Sequence, residues 1–269
     1  MALKLMAKAA WAYAIVTIGV LLLAAICLSQ AVLSLPLYLI LPTHVGRRVG
    51  RWANMAWFRI FLATMEALGA WRLDLRALDG LRSAGPLIIA PNHPCLLDAV
   101  LLVSRLPNAV CVMKGALLRN FLLGPASRLA RYVPNDSLLR LVTSASEELR
   151  LGGQLLLFPE GTRSTADPIG PFTDAVGALS RRSGVPVQAV IIEADDRRFL
   201  GKGWTPAARP RLPLNYRIRL GRRFDPPKDV RAFTVELERY FARELAARTA
   251  TADEPIDAPA VQEAHRLRG

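Results

Sequence analysis

Hydrophobic positions fall into two regimes along this chain. Residues 9–35 are almost all apolar, and no Asp, Glu, Lys or Arg stands between Lys8 and Arg47. As a helix that run would be about 40 Å long, more than the roughly 30 Å hydrocarbon core of a bilayer. Pro36 is expected to interrupt it and Pro42 to close the short apolar piece that follows. Three readings stand: a cleaved signal peptide, a single tilted span, and a re-entrant or hairpin anchor. A signal peptide needs an apolar core of only about 7–15 residues, so the length disfavours it. Lys4 and Lys8 on one side and Arg47, Arg48 and Arg51 on the other place both ends on the cytoplasmic face, which a hairpin satisfies. Trp11, Tyr13, Tyr38 and Trp52 near the ends suit rings at headgroup level, or ordinary core packing. Residues 52–71 carry only Arg59 and Glu66 as charges and read as a continuation of the anchor or an interfacial helix.

Beyond residue 70 the pattern changes to alternating short strands and helices. WRLDLRAL, PLIIA, NAVCVMK, QLLLF, VPVQAVII and NYRIRLG read as strands, several of them continuously apolar as buried strands are. CLLDAVLLVSRL, SLLRLVTSASEELRLG, TDAVGALSRRSG and DVRAFTVELERYFARELAAR read as helices. Asn135, Asp136 and Ser137 offer an N-cap, and Gly152, Gly184 and Gly203 offer stops. The pattern predicts an α/β fold, a mostly buried mixed sheet flanked by helices, preceded by an N-terminal membrane-anchoring helical segment. Residues 1–69 form the anchor and interfacial helices, 70–248 the globular domain, and 249–269, with few large apolar residues, a disordered tail holding His265.

Composition sharpens this picture. Of 269 residues 52% are hydrophobic, and the mean hydropathy of +0.25 exceeds the ordinary soluble range. The net charge of +13 calls for an anionic partner. Next to an apolar anchor, and without a helix-turn-helix, zinc-finger or RNA-binding signature, that partner is lipid or an acyl carrier and not nucleic acid. Cys27, Cys95 and Cys111 make no CxxC pair, so neither a disulfide framework nor a metal site is expected.

Two motifs carry chemistry. In PLIIAPNHPCLLDAV a buried strand ends at Asn92, delivers His93, and leads to Asp98 five residues on. Positions five apart diverge on a straight helix. With His93 ahead of the first turn, however, Asp98 points back to one ring nitrogen and leaves the other free to take a proton. In QLLLFPEGTRST an apolar strand ends at Phe158 and turns through residues 159–164, where Gly161 permits close backbone approach and Arg163 offers a bidentate fork.

Together, residues 92–98 (NHPCLLD) and 158–164 (FPEGTRS) resemble the paired NHxxxxD and FPEGTRS blocks of the glycerolipid acyltransferase family, over roughly residues 70–230. The resemblance implies His93 as general base and Asp98 as the residue that orients it. It implies Asn92, Glu160, Gly161, Thr162 and Arg163 as substrate-binding residues, and residues 184–187 as a further block. Cys95 stands at a variable position of the block, which sets a Cys–His nucleophile aside. Where the family carries an Ile-Asp-Arg-like triplet, whose arginine holds the acceptor phosphate, this chain reads Tyr132-Val133-Pro134-Asn135-Asp136, with Arg128 and Arg131 as possible substitutes.

The resemblance implies transfer of a fatty acyl group from acyl carrier protein or coenzyme A thioester to a lipid hydroxyl, without metal or resident cofactor. The acceptor is a lysolipid of the 1-acylglycerol-3-phosphate type, or another lipid alcohol or specialised metabolite. It implies a bacterial-type inner membrane, with the catalytic domain on the cytoplasmic face of the bilayer. A thioesterase or lipid hydrolase is the alternative class, and the absence of a G-x-S-x-G elbow argues against a serine hydrolase. Nine basic residues between Lys202 and Arg231 read either as solvated charges or as a docking patch for a carrier or anionic lipid.

Overall fold

The computed structural model describes residues 2–164, 169–196, 200–201 and 212–251. Lys202, Gly203, Arg209, Arg211 and the tail from residue 252, with His265, lie outside the described residues.

Helix α1 (Ala2–Ile40) passes through Pro36 without a break. The pyrrolidine removes one i→i−4 bond near the helix end, but bonding resumes at once, with Leu41 N donating to Leu37 O at 2.9 Å. A short elbow at Leu41 and Pro42 reverses the chain into α2 (Thr43–Ala67). The two helices lie side by side, the end of Met65 meeting Gly19. One face of α1 is buried through Ile15, Ile26, Cys27, Gln30 and Ser34, while Leu21, Val32, Leu35 and Leu39 on the other are exposed. Residues Ala9–Ile40 are long and apolar enough to cross a membrane.

Strand β1 (Trp71–Asp74) and a 3-10 turn (Arg76–Leu81) follow, then β2 (Leu87–Pro91), α3 (Asp98–Val103) and β3 (Ala109–Met113). Two short helices, α4 (Gly115–Arg119) and α5 (Gly124–Leu129), lead to β4 (Val133–Pro134), α6 (Leu138–Arg150) and β5 (Gln154–Leu156). Next come α7 (Ala175–Ser183), β6 (Val187–Ala194), β7 (Leu214–Phe224) and α8 (Val230–Thr251). Ser137 caps α6 by accepting from Arg140 N, and Gly184 ends α7 in the left-handed conformation.

The seven strands form one mixed sheet in the order β1-β7-β6-β2-β5-β3-β4, parallel except for the antiparallel β6–β7 pair. Strand alternation gives it two apolar faces. Leu87, Ile89, Val190 and Ile192 pack towards Phe61, Leu62 and Leu101 of α2 and α3. Ile88, Ala90, Val187 and Ile191 pack towards Leu141, Leu179 and Phe241 of α6, α7 and α8. Helices therefore cover both faces, as a parallel sheet requires.

Two groups of basic residues have structural partners. On β7, Arg217 pairs with Asp74, Arg219 with Glu193 and Glu244, and Arg222 with Glu236. In α2, Arg51 is 1% exposed and donates to Glu148, to Asn108 Oδ1 at 2.7 Å and to the Ala130 carbonyl at 3.1 Å, while Arg47 reaches the same Glu148 at 3.2 Å. Arg47 and Arg51 are thus spent on α6, leaving Arg48 as the exposed arginine of the three. Gly50 makes the close approach possible, because a Cβ there would lie 2.6 Å from Ala130 N.

Candidate active site

Strands β2, β5 and β6 run parallel to one another or share β2 as a neighbour, so their carboxyl ends open on one edge. Open α/β sheets collect ligands at that edge. At the end of β2 the Asn92 amide bonds both ways to the backbone of Ile192, Nδ2 donating to its carbonyl at 2.9 Å and Oδ1 accepting its amide at 2.7 Å. The loop that carries His93 is thereby fastened to β6.

His93 precedes α3 and Asp98 is that helix's first residue. His93 Nδ1 lies 2.8 Å from Asp98 Oδ2, with the carboxylate fully buried and the His93 side chain 16% exposed. The imidazole stacks on Phe158, centroids 3.8 Å apart and planes 21° from parallel. One nitrogen is thus committed, one face covered, and Nε2 remains for a reactant. Burial holds the Asp98 carboxyl above its ordinary range, opposed by its bonds from His93 and from the Cys95 amide.

The turn after β5 lies alongside, Ser164 N donating to the His93 carbonyl at 2.9 Å. Glu160 is buried, and both its oxygens are engaged inside the protein. Oε1 accepts from the His93 amide at 3.3 Å and the Ser164 hydroxyl at 2.6 Å, and Oε2 from Gly170 N at 2.8 Å. Gly161 sits at φ +66°, a conformation that favours glycine. Thr162 is exposed. Arg163 donates through one guanidinium nitrogen to the carbonyls of Leu200 and Gly201, both at 3.0 Å. Of the seven residues singled out by sequence, Asn92, Asp98 and Glu160 therefore face inward, and His93, Gly161, Thr162 and Arg163 line the accessible rim.

Sequence reasoning missed two features. An apolar cavity of about 480 Å³ is walled by α1 at Ile15 and Gly19, by α2 at Phe61 and Met65, and by Leu96 and Leu97 of the His93 loop. Behind Asp98, the Cys95 thiol lies 3.1 Å from Oδ1 and 3.9 Å from the Tyr216 hydroxyl of β7. The cavity walls and the Cys95–Tyr216 contact join elements far apart in the chain, which no local pattern announces. Among the described residues no group of three or more His, Cys, Asp or Glu is placed to hold a metal.

The segment where the sequence lacks the family arginine runs through β4, with Asn135 N donating to Met113 O at 2.8 Å and Asp136 accepting from Gly115 N at 3.1 Å. Arg128 donates to the Leu118 carbonyl, and Arg131 lies over Tyr38 and donates to Thr43 at the helical elbow.

The Acyltransferase family profile matches residues 72–193, which contain both motif blocks. Over those residues the chain is similar to the glycerolipid acyltransferase family. It is 26% identical over 190 residues to the 1-acyl-sn-glycerol-3-phosphate acyltransferase of Pseudomonas aeruginosa, covering 68% of this chain and 71% of that protein. It is 26% identical over 136 residues to the chloroplastic 1-acyl-sn-glycerol-3-phosphate acyltransferase BAT2 of Brassica napus, a match that covers 48% of this chain and 40% of that longer protein. The crystal structure of the 1-acyl-sn-glycerophosphate (LPA) acyltransferase PlsC from Thermotoga maritima shares the fold, with a TM-score of 0.66 at 16% identity over 92% of this chain and 97% of that one.

Proposed function

We propose that this acyltransferase moves a fatty acyl group from a thioester, on acyl carrier protein or coenzyme A, to the hydroxyl of a 1-acylglycerol-3-phosphate-type lipid. The observation that carries the reading is the 2.8 Å contact between His93 Nδ1 and a fully buried Asp98, set beside a large apolar cavity. With Nδ1 bound, Nε2 takes the acceptor proton as the alcohol oxygen attacks the thioester carbonyl. The tetrahedral intermediate then collapses, and the thiolate leaves with the proton that His93 returns. General-base catalysis contributes about 10²–10⁴ in rate, and positioning more. The amides of Thr162 and Arg163 have no protein acceptor among the described residues and lie on the turn beside His93. We assign them to the developing oxyanion.

In this reading Asn92 ties the His93 loop to β6, Glu160 ties it to the turn after β5, and neither touches substrate. Arg163 and the exposed Lys114 at the end of β3 supply positive charge for an acidic headgroup. The acyl chain enters the cavity beside α1, whose exposed apolar face lies in the bilayer of a bacterial-type inner membrane. The catalytic edge faces the cytoplasm. His93→Ala should abolish esterified product from a labelled acyl thioester and lysophosphatidate while the protein stays in the membrane fraction. Undiminished turnover in that variant would sink the assignment. Free fatty acid without ester from the unaltered protein would favour hydrolysis.

A further inference from the structure

Asp98 is fully buried and has two oxygens to satisfy. Oδ2 accepts from His93 Nδ1 and from the Cys95 amide, both at 2.8 Å. Oδ1 has one donor among the described residues, the Cys95 thiol at 3.1 Å. That thiol is itself fully buried and has the Tyr216 hydroxyl 3.9 Å away on its other side. Burial, then the Asp98 charge, push the thiol well above its ordinary range, so it stays a protonated donor wherever the enzyme works.

We propose that Cys95 is a positioning residue of the acyl-transfer reaction. Its S–H bond to Asp98 Oδ1 holds the carboxylate in the plane and rotamer that leave Oδ2 for His93, and helps to keep it ionised. The proposal rests on the assignment of His93 as base. A thiol is a weak donor, but it is the remaining one, and a buried carboxylate oxygen with none is costly. The other charged or titratable groups around the pair are few. Tyr216 faces it from β7, with Asp196 acting on Tyr216 from beyond β6. Glu160 and Arg163 stand on the turn after β5, the first bound to the His93 amide and the second to the Leu200 and Gly201 carbonyls. From α1 and α2 the neighbouring cavity receives only apolar side chains and Cys27.

Removing the donor leaves the Asp98 charge less stabilised, so the His93–Asp98 pair holds its proton to higher pH. Cys95→Ala should move the acid limb of the kcat/KM profile up by about one pH unit. It should lower kcat about tenfold near neutrality and leave KM for both substrates unchanged. Cys95→Ser, which restores a donor, should return the limb to the wild-type position or below it. The infrared S–H band is a second readout, isolated from Cys27 and Cys111 by subtracting the Cys95→Ser spectrum. It should show a hydrogen-bonded thiol that relaxes towards the free-thiol frequency in Asp98→Asn. This spectral arm does not depend on Cys95→Ala folding.

A free-thiol band unaffected by Asp98→Asn would overturn the proposal. So would a wild-type pH profile in Cys95→Ala when His93→Ala is inactive, an outcome that leaves the acyl-transfer reading intact. Full activity in His93→Ala would instead remove the base assignment on which the proposal stands.

Discussion

His93 Nδ1 meets Asp98 Oδ2 at 2.8 Å although the two residues are five apart. The contact exists because Asp98 opens α3 while His93 lies in the turn before it, and because the Cys95 amide draws the carboxylate back over that turn. If the carboxylate selects the tautomer, Asp98→Asn should lower kcat by about 10²–10⁴ with little change in KM, since the amide presents a donor where Nδ1–H needs an acceptor. Steady-state kinetics on both substrates checks the split. A loss confined to KM would mean that Asp98 serves binding.

The same carboxylate affects stability in the opposite direction. Burial raises the Asp98 pKa in the folded protein. Its contribution is therefore full below the ordinary carboxylate value of about 4 and is lost as pH rises through the folded value. Asp98→Asn removes that loss. The wild-type Tm minus the variant Tm should fall as pH rises from about 4 to about 7, measured by thermal unfolding in detergent. A difference that stays flat or grows with pH would show that Asp98 is not held ionised at a cost.

Much of this fold was legible because the strands are continuous apolar runs or alternate with period two. All six strands read from the pattern occur, with ends shifted by a few residues. Helices α4 and α5 were not legible, since five or six residues do not complete two helical turns, and neither was the two-residue β4. The motif turns were visible as residue strings, but the direction each side chain faces was not. Glu160 reads as a carboxylate waiting for substrate, whereas the fold turns it inward to hold the His93 amide, Ser164 and Gly170. Arg51 reads as a membrane-flanking charge, yet its partner Glu148 lies 97 residues further on, a separation that local patterning does not reach.

Chain-length selection should respond to the α1 wall of the cavity. A Cβ at Gly19 would lie 2.8 Å from Met65 Cε, the far end of a flexible side chain. Gly19→Ala should be absorbed by a small shift of Met65 with little effect. Gly19→Leu instead fills cavity space, and the preferred acyl chain should shorten by a few carbons. Mass spectrometry of products from mixed acyl thioesters reads the distribution. An unchanged distribution in the leucine variant would place the acyl chain outside this cavity.

The helical hairpin and the domain are joined by a buried charge, and that joint makes a separate prediction. Arg51, 1% exposed, donates to Glu148, Asn108 and the Ala130 carbonyl, while Arg47 reaches Glu148 from the half-buried side. Arg51→Met keeps much of the volume but strands Glu148 and the Ala130 carbonyl, and breaking one side of such a pair costs about 3–5 kcal/mol. Arg47 still faces the carboxylate, so the lower end of that range is expected. Adding Glu148→Leu removes the stranded charge, and the double variant should recover at least half of the lost stability, because apolar replacement of a whole buried pair is often neutral. Acyl transfer should follow the Tm, since α1 and α2 form the cavity wall. A double variant no more stable than Arg51→Met would mean that the Asn108 and Ala130 contacts, and not the ion pair, fasten the hairpin.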